Sequence, residues 1–163
     1  MKKITLDTNC LFDYFERNPQ CVERLIKLQE SGLIEIAITT RIKADTFGKN
    51  QDSPIWGKIK SFPCLTMPTI GRWDISYWDE DVYADKLDTD LQNLIQSCIG
   101  NNIKQLCDID HLIGHIKDKR DVFVTNDKDH FIKRRDCLQK KCGVKIMTPE
   151  ECIEYFFQNG LTN

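Results

Sequence analysis

With 163 residues and a formal net charge of −2, the chain is long enough to bury one ordinary core. It lacks the overall positive field of a protein that coats duplex nucleic acid, although a local basic groove stays compatible with that balance. No apolar run approaches the ~20 residues of a membrane helix, and the charged start Met1-Lys2-Lys3 leads into an apolar stretch that Asp7 cuts too short for a secretion signal. A cytoplasmic protein without membrane contact is expected.

Lys3 to Leu6 reads as a first strand that stops at Asp7. Thr8 or Asn9 is suited to cap the next helix, which turns Leu11, Phe12 and Phe15 inward. Pro19 opens a second helix with Val22, Leu25, Ile26 and Leu28 on one face, and Gly32 stops it. Leu33 to Ile38 is a second strand, with Thr39-Thr40 capping a helix that runs to about Phe47. Pro54 starts a short helix carrying Ile55, Trp56 and Ile59, and Cys64 to Met67 is a short strand. From Gly71 to Tyr83 the pattern is irregular, and Asp74 to Asp90 holds seven acidic residues against one lysine. With Trp73, Tyr77 and Trp78 among these acids, the stretch fits a solvated face with an aromatic anchor, or a partner-binding surface. Regular elements resume with helices at Asp85 to Ile99 and Ile103 to Lys117 and a strand at Asp121 to Thr125. A basic helix at Lys133 to Lys141, a last strand at Val144 to Met147 and a helix from Pro149 to Gln158 complete the chain. Strands alternating with helices favour an α/β fold with a central parallel sheet. One domain over residues 1–163 is expected, less typical around 48–100.

Two strands deliver an aspartate as they stop: Leu6-Asp7-Thr8-Asn9 and Val124-Thr125-Asn126-Asp127. In parallel sheets, chemistry gathers beyond the carboxyl ends of the strands. Two carboxylates ~4 Å apart repel by roughly 1 kcal/mol in water and about 4 kcal/mol at intermediate dielectric, so their convergence calls for a cation. Asp45, beyond the second strand, and Asp108, in the helix before the fourth, add further acids. Carboxylates of this kind suit Mg²⁺ or Mn²⁺, which activate water and stabilise a phosphate under attack. No serine or cysteine nucleophile is then required. Asp110 rivals Asp108 but points about 200° around the helix, so one of the two faces the pocket. Asp7 is also placed to cap a helix, and Asp127 to begin a turn.

The pieces Ile4-Thr5-Leu6-Asp7-Thr8-Asn9, the Thr39-Thr40 helix ending in Asp45, Asp108 to Leu112, and Asp121 to Phe131 occur in order, followed by the unit at Met147 to Glu151. Together they resemble the PIN-domain nucleases, whose nearest small members are the VapC-like toxin ribonucleases. The resemblance spans almost the whole chain and is weakest from Gly48 to Gly100. It implies a PIN-like fold with helices on both faces of the sheet, and Mg²⁺- or Mn²⁺-dependent endonucleolytic cleavage of single-stranded RNA to 5′-phosphate and 3′-hydroxyl ends. Carried over by position, Asp7, Asp108 and Asp127 match metal ligands and Asn9 and Thr125 match residues that orient them. Asp45 stands where the family has glutamate, one methylene longer, which places its carboxylate on the metal through water. Asp129 is expected behind the ligands or in solvent. Toxins of this family also imply a homodimer and a protein antitoxin, although the Asp45 to Asp108 interval is long for a compact toxin.

Arg41, Lys43, Lys128 and Arg134 are candidate RNA contacts, and the Lys133 to Lys141 run is either such a surface or a solvated face. His111 and His115 follow Asp108 at helical spacing and read as core histidines rather than ligands; His130 is placed to touch phosphate. The eight cysteines, at 10, 21, 64, 98, 107, 137, 142 and 152, form no Cys-x-x-Cys and are expected to be mostly reduced and buried. Two alternatives differ in class. A catalytically impaired PIN-fold module would bind RNA or a protein partner. A phosphatase would use Asp7 as nucleophile, but the Asp-x-Asp pattern of that chemistry is missing because position 9 is Asn9.

Overall fold

The computed structural model describes residues 1–47, 54–72, 84–100, 102, 105–158 and 160, and the side chains of these residues except those of 45–47, 54 and 56. Five strands form one parallel sheet: β1 (Lys2–Leu6), β2 (Ile34–Thr39), β3 (Leu65–Met67), β4 (Val122–Val124) and β5 (Ile146–Met147), in the order β3-β2-β1-β4-β5. The helices are α1 (Thr8–Glu16), α2 (Gln20–Glu30), α3 (Ile42–Phe47), α4 (Pro54–Lys60), α5 (Lys86–Ile99), α6 (Leu106–Lys117), α7 (Arg135–Cys142) and α8 (Pro149–Gln158). Among the described residues, no helix is long and apolar enough to cross a membrane.

Alternation along the strands divides the core in two, because successive side chains of a strand point to opposite faces. Ile4, Leu6, Ile34, Ile36, Ile38, Val122 and Val124 bury one face against Leu11 of α1, Val22 and Leu25 of α2, Ile59 of α4 and Ile153 and Phe156 of α8. Phe123 points the other way, into a second cluster with Ile95 of α5, Ile109, Leu112 and Ile113 of α6, and Leu138 of α7. Helices therefore cover both faces, as the resemblance implied. Gly114 lets α6 come close to the sheet: a Cβ there would meet Thr39 Cγ2 at 3.3 Å.

The strand order places the switch in winding direction between β1 and β4. From β1 the chain winds through β2 to β3, then returns across the sheet to β4 and β5. The register pairs Leu6 with Val124, so these strands end level and Asp7 and Thr125 emerge side by side. A crevice at this position is where open parallel sheets bind ligands.

Two helix boundaries differ from expectation, and the cap of α1 falls on one of the three residues placed for it. Asp7, rather than Thr8 or Asn9, is the cap of α1, because its extended backbone points the carboxylate back onto the Thr8 amide. α6 begins at Leu106, and a short 3-10 turn at Ile132–Arg134 precedes α7, which starts at Arg135. Six of the eight cysteines, Cys10, Cys21, Cys64, Cys107, Cys142 and Cys152, are free, in keeping with a mostly reduced set, while Cys98 of α5 and Cys137 of α7 form a disulfide. Burial pushes the thiols of Cys64 and Cys152 up to about 12, so they stay protonated at neutral pH.

Candidate active site

The site starts from one hydroxyl. Thr125, fully buried at the end of β4, donates through Oγ1 to Asp7 Oδ2 at 2.7 Å. The same oxygen accepts from the Asp127 amide at 3.0 Å and from Asn9 Nδ2 at 3.2 Å. Asn9 Nδ2 also donates to Asp7 Oδ2 at 2.7 Å, and Asn9 Oδ1 accepts from the Asn126 amide at 2.9 Å. Asp7 Oδ1 takes the Thr8 amide at 2.7 Å. With 4 % of its surface exposed, Asp7 is thus held by donors from β4, from α1 and from its own cap. These donors fix the orientation of the carboxylate. Behind it, Cys10 is buried against the Val124 carbonyl, and burial together with the Asp7 charge pushes its thiol far up, so it supplies no nucleophile.

Asp127 organises the turn after β4. Its Oδ1 accepts the amides of Asp129 and His130, each at 2.8 Å. Its Oδ2 lies 3.0 Å from His130 Nδ1, and Asp108 Oδ2 lies 3.5 Å from the same nitrogen. Among the described residues, Asp108, Asp127 and His130 form a group whose ligand atoms all lie within 4.8 Å of one another. Two carboxylate oxygens and an imidazole nitrogen are a donor set suited to a divalent ion. Asp7 stands outside this group and is coupled to it through Thr125. Its carboxylate has three donors of its own.

The rivalry between Asp108 and Asp110 has a geometric outcome. Asp108 is partly exposed beside Asp127, whereas Asp110 is wholly buried and paired with two arginines. Arg72 binds it in fork fashion, Nε to Oδ2 at 2.8 Å and Nη2 to Oδ1 at 2.6 Å, and Arg41 Nε lies 3.0 Å from Oδ2. This overturns the expectation of Arg41 as an RNA contact. Its side chain is 1 % exposed and also donates to the Ile70 carbonyl, because a buried carboxylate requires buried cations.

The remaining residues are placed as follows. Lys128 and Arg134 are exposed and Lys43 is half-buried. Asp129 is exposed and pairs with Lys133 at 2.5 Å, which holds its carboxyl below the usual range; it reaches Asp127 through its backbone amide. Asp45 lies in α3, with its side chain outside the described residues, as are Trp73, Tyr77 and Trp78 altogether. His111 is buried between Thr39 and Thr8, its Nδ1 and Nε2 meeting their hydroxyls at 2.5 and 3.3 Å. His115 Nδ1 meets Thr5 Oγ1 at 2.9 Å, and burial lowers its pKa to about 3. Both act as core polar links between α6 and the sheet. His130, expected near phosphate, stands against both Asp127 and Asp108. Its spacing three residues after Asp127 in a turn was the available signal, since a carboxylate that caps a turn brings the third residue on back to itself.

No family model and no curated protein matches the chain. Among solved structures it is similar to a chain of VapBC2 from Rickettsia felis, determined bound to a DNA fragment from their promoter, with a TM-score of 0.57 and 15% identity over 90% of this chain and 98% of that one. A likeness at this identity speaks to architecture. The five-stranded parallel sheet, its order and its flanking helices together give the chain a PIN-like α/β fold.

Proposed function

We propose that this chain is a metal-dependent endoribonuclease that hydrolyses phosphodiester bonds of single-stranded RNA. One observation carries the reading: at the switch point of the sheet, Asp7 and Asp127 are tied to one threonine hydroxyl, and α6 brings Asp108 to Asp127. Asp7, Asp108 and Asp127 are the residues we assign to Mg²⁺ or Mn²⁺, with Asp45 assisting from α3. Such an ion, when bound, lowers the pKa of a water and stabilises charge on the phosphate. The protein supplies the rest. Thr125 and Asn9 fix the Asp7 carboxylate, and the Asp127 turn holds its own carboxylate toward Asp108. Lys43, Lys128 and Arg134 are proposed phosphate contacts. A groove of about 600 Å³ beside Asn126 is lined by Lys128 and Arg17 together with Asp13 and Glu150, so its charges balance.

We take the chain as one domain, elaborated around 48–100. By the likeness to VapBC2 we propose the toxin of a toxin–antitoxin pair, a homodimer in the cytoplasm that a protein antitoxin restrains. The test is a labelled single-stranded RNA incubated with purified protein and Mn²⁺, Mg²⁺ or excess EDTA. The proposal requires cutting with metal, none with EDTA, and products bearing 5′-phosphate and 3′-hydroxyl ends; cutting that persists in EDTA contradicts it.

A second reading, an impaired module that binds RNA or protein without cutting, has one observation in its favour. The ligand group Asp108, Asp127 and His130 forms without Asp7, whose carboxylate already accepts three hydrogen bonds. Metal binding together with intact RNA after prolonged incubation would select it.

A further inference from the structure

His130 faces both partly exposed acids of the site. Its Nδ1 stands 3.0 Å from Asp127 Oδ2 and 3.5 Å from Asp108 Oδ2. Neighbouring ligands on one ion with bonds of about 2.1 Å stand ~3.0 Å apart in octahedral geometry and ~3.4 Å apart in tetrahedral geometry. The 3.0 Å contact is that of a hydrogen bond between ring and carboxylate, and all three ligand atoms lie close enough to meet on one ion of this bond length.

The turn is shaped largely by groups other than the ring. Asp127 Oδ1 accepts the amides of Asp129 and His130, and Phe131, fully buried against Phe123 with ring centroids 5.1 Å apart, anchors the chain one residue on. These contacts fix where residue 130 sits, and the imidazole adds one hydrogen bond to Asp127 Oδ2 at the turn's exposed side. The ring itself is 44 % exposed, open to an incoming ion, and its removal opens no cavity in the core.

We infer that His130 is a direct metal ligand through Nδ1 and that its nitrogen turns the centre toward a first-row transition ion, Mn²⁺ ahead of Mg²⁺. Magnesium takes oxygen ligands and keeps its water, whereas imidazole suits transition ions. A site of aspartates alone would bind both ions through oxygen. Adding one nitrogen donor discriminates between them. The inference rests on the metal-site reading above and names the class of ion that site prefers.

The test is calorimetric titration with Mn²⁺ and with Mg²⁺, without RNA, on the wild type, His130→Ala and Asp127→Asn, followed by pulsed EPR of the Mn²⁺-loaded proteins. The expected wild type binds Mn²⁺ more tightly than Mg²⁺ and shows nitrogen modulation from a coordinated imidazole. His130→Ala loses the modulation and roughly tenfold or more of the Mn²⁺ affinity, at least what disturbing an outer partner of a ligand costs, while Mg²⁺ affinity stays nearly level. Asp127→Asn weakens both ions. Circular dichroism checks that each variant is folded. Wild-type Mn²⁺ spectra without nitrogen modulation, or equal loss of both ions in His130→Ala, overturn the assignment. Nitrogen-coordinated Mn²⁺ in a protein that leaves RNA intact overturns the nuclease reading alone. Failure of the wild type to bind either ion overturns both.

Discussion

Replacing Thr125 with valine removes one hydroxyl and keeps the side chain's shape. Thr125 is fully buried, and its Oγ1 bonds Asp7 Oδ2 at 2.7 Å and the Asp127 amide at 3.0 Å. A hydrogen bond to a charged group contributes ~1.5–3 kcal/mol and one between neutral groups ~1 kcal/mol. Asn9 Nδ2 keeps Asp7 as its other acceptor and adds little. Thr125→Val is therefore expected to destabilise the fold by about 3 kcal/mol, or ~6–12 °C in melting temperature for a chain of this size. Thr125→Ser retains the hydroxyl and loses one methyl, at about 1 kcal/mol. Urea unfolding followed by circular dichroism ranks the three proteins: wild type, then serine, then valine. Freed from one donor, Asp7 also shifts, and a displacement of ~1 Å in catalytic geometry lowers turnover about 100-fold. A valine variant as stable as the wild type, or more stable than the serine variant, would refute the argument that this hydroxyl ties the two strand ends together.

Asp110→Ala leaves the buried Arg41 without its carboxylate and is expected to cost ~3–5 kcal/mol in urea unfolding. Asp108→Ala, at a partly exposed position, should move stability by less than about 1 kcal/mol while abolishing metal binding in the same calorimeter. The pKa of His115, lowered from 6.5 to about 3 in the folded chain, means that the unfolded chain binds more protons between those values. The stability it contributes is complete above pH 6.5 and is lost as pH falls toward 3, on the order of 4 kcal/mol, so His115→Gln should flatten the stability-against-pH curve over that window. Opening the disulfide between Cys98 and Cys137, 39 residues apart, by the double alanine variant should lower stability by about 4 kcal/mol on the chain-entropy account, read as a shift in urea midpoint.

What could be read in advance followed the range over which each constraint acts. The ends of β1 and β4 were legible because an apolar run and the aspartate that stops it are adjacent in sequence, and both flank the sheet's switch point. The parallel sheet with helices packed on it was legible in the alternation of strands and amphipathic helices, and the two-sided cover followed from the resemblance to the PIN-domain nucleases. The partners of Asp110 were not, since Arg41 and Arg72 reach it from positions 69 and 38 residues away, and no local pattern records such a pairing. Arg41 beside Lys43 looked like a surface cation; only the folded chain shows that the carboxylate it neutralises is buried. The same holds for Cys98 and Cys137, brought together by the packing of α5 against α7. Asp7 was legible both as an acid at a strand end and as a residue placed to cap a helix; its choice over Thr8 and Asn9 depends on a backbone angle that residue type alone leaves open.

Cleavage of a labelled single-stranded RNA by wild type, Asp7→Asn and Asp127→Asn, side by side in Mn²⁺ at matched purity, bears most directly on the central claim. The account predicts cutting by the wild type and loss of it in both variants, each of which also binds Mn²⁺ more weakly. Equal cutting by all three would place the activity elsewhere, in a contaminant or another site, and would contradict the assignment of chemistry to the ends of β1 and β4.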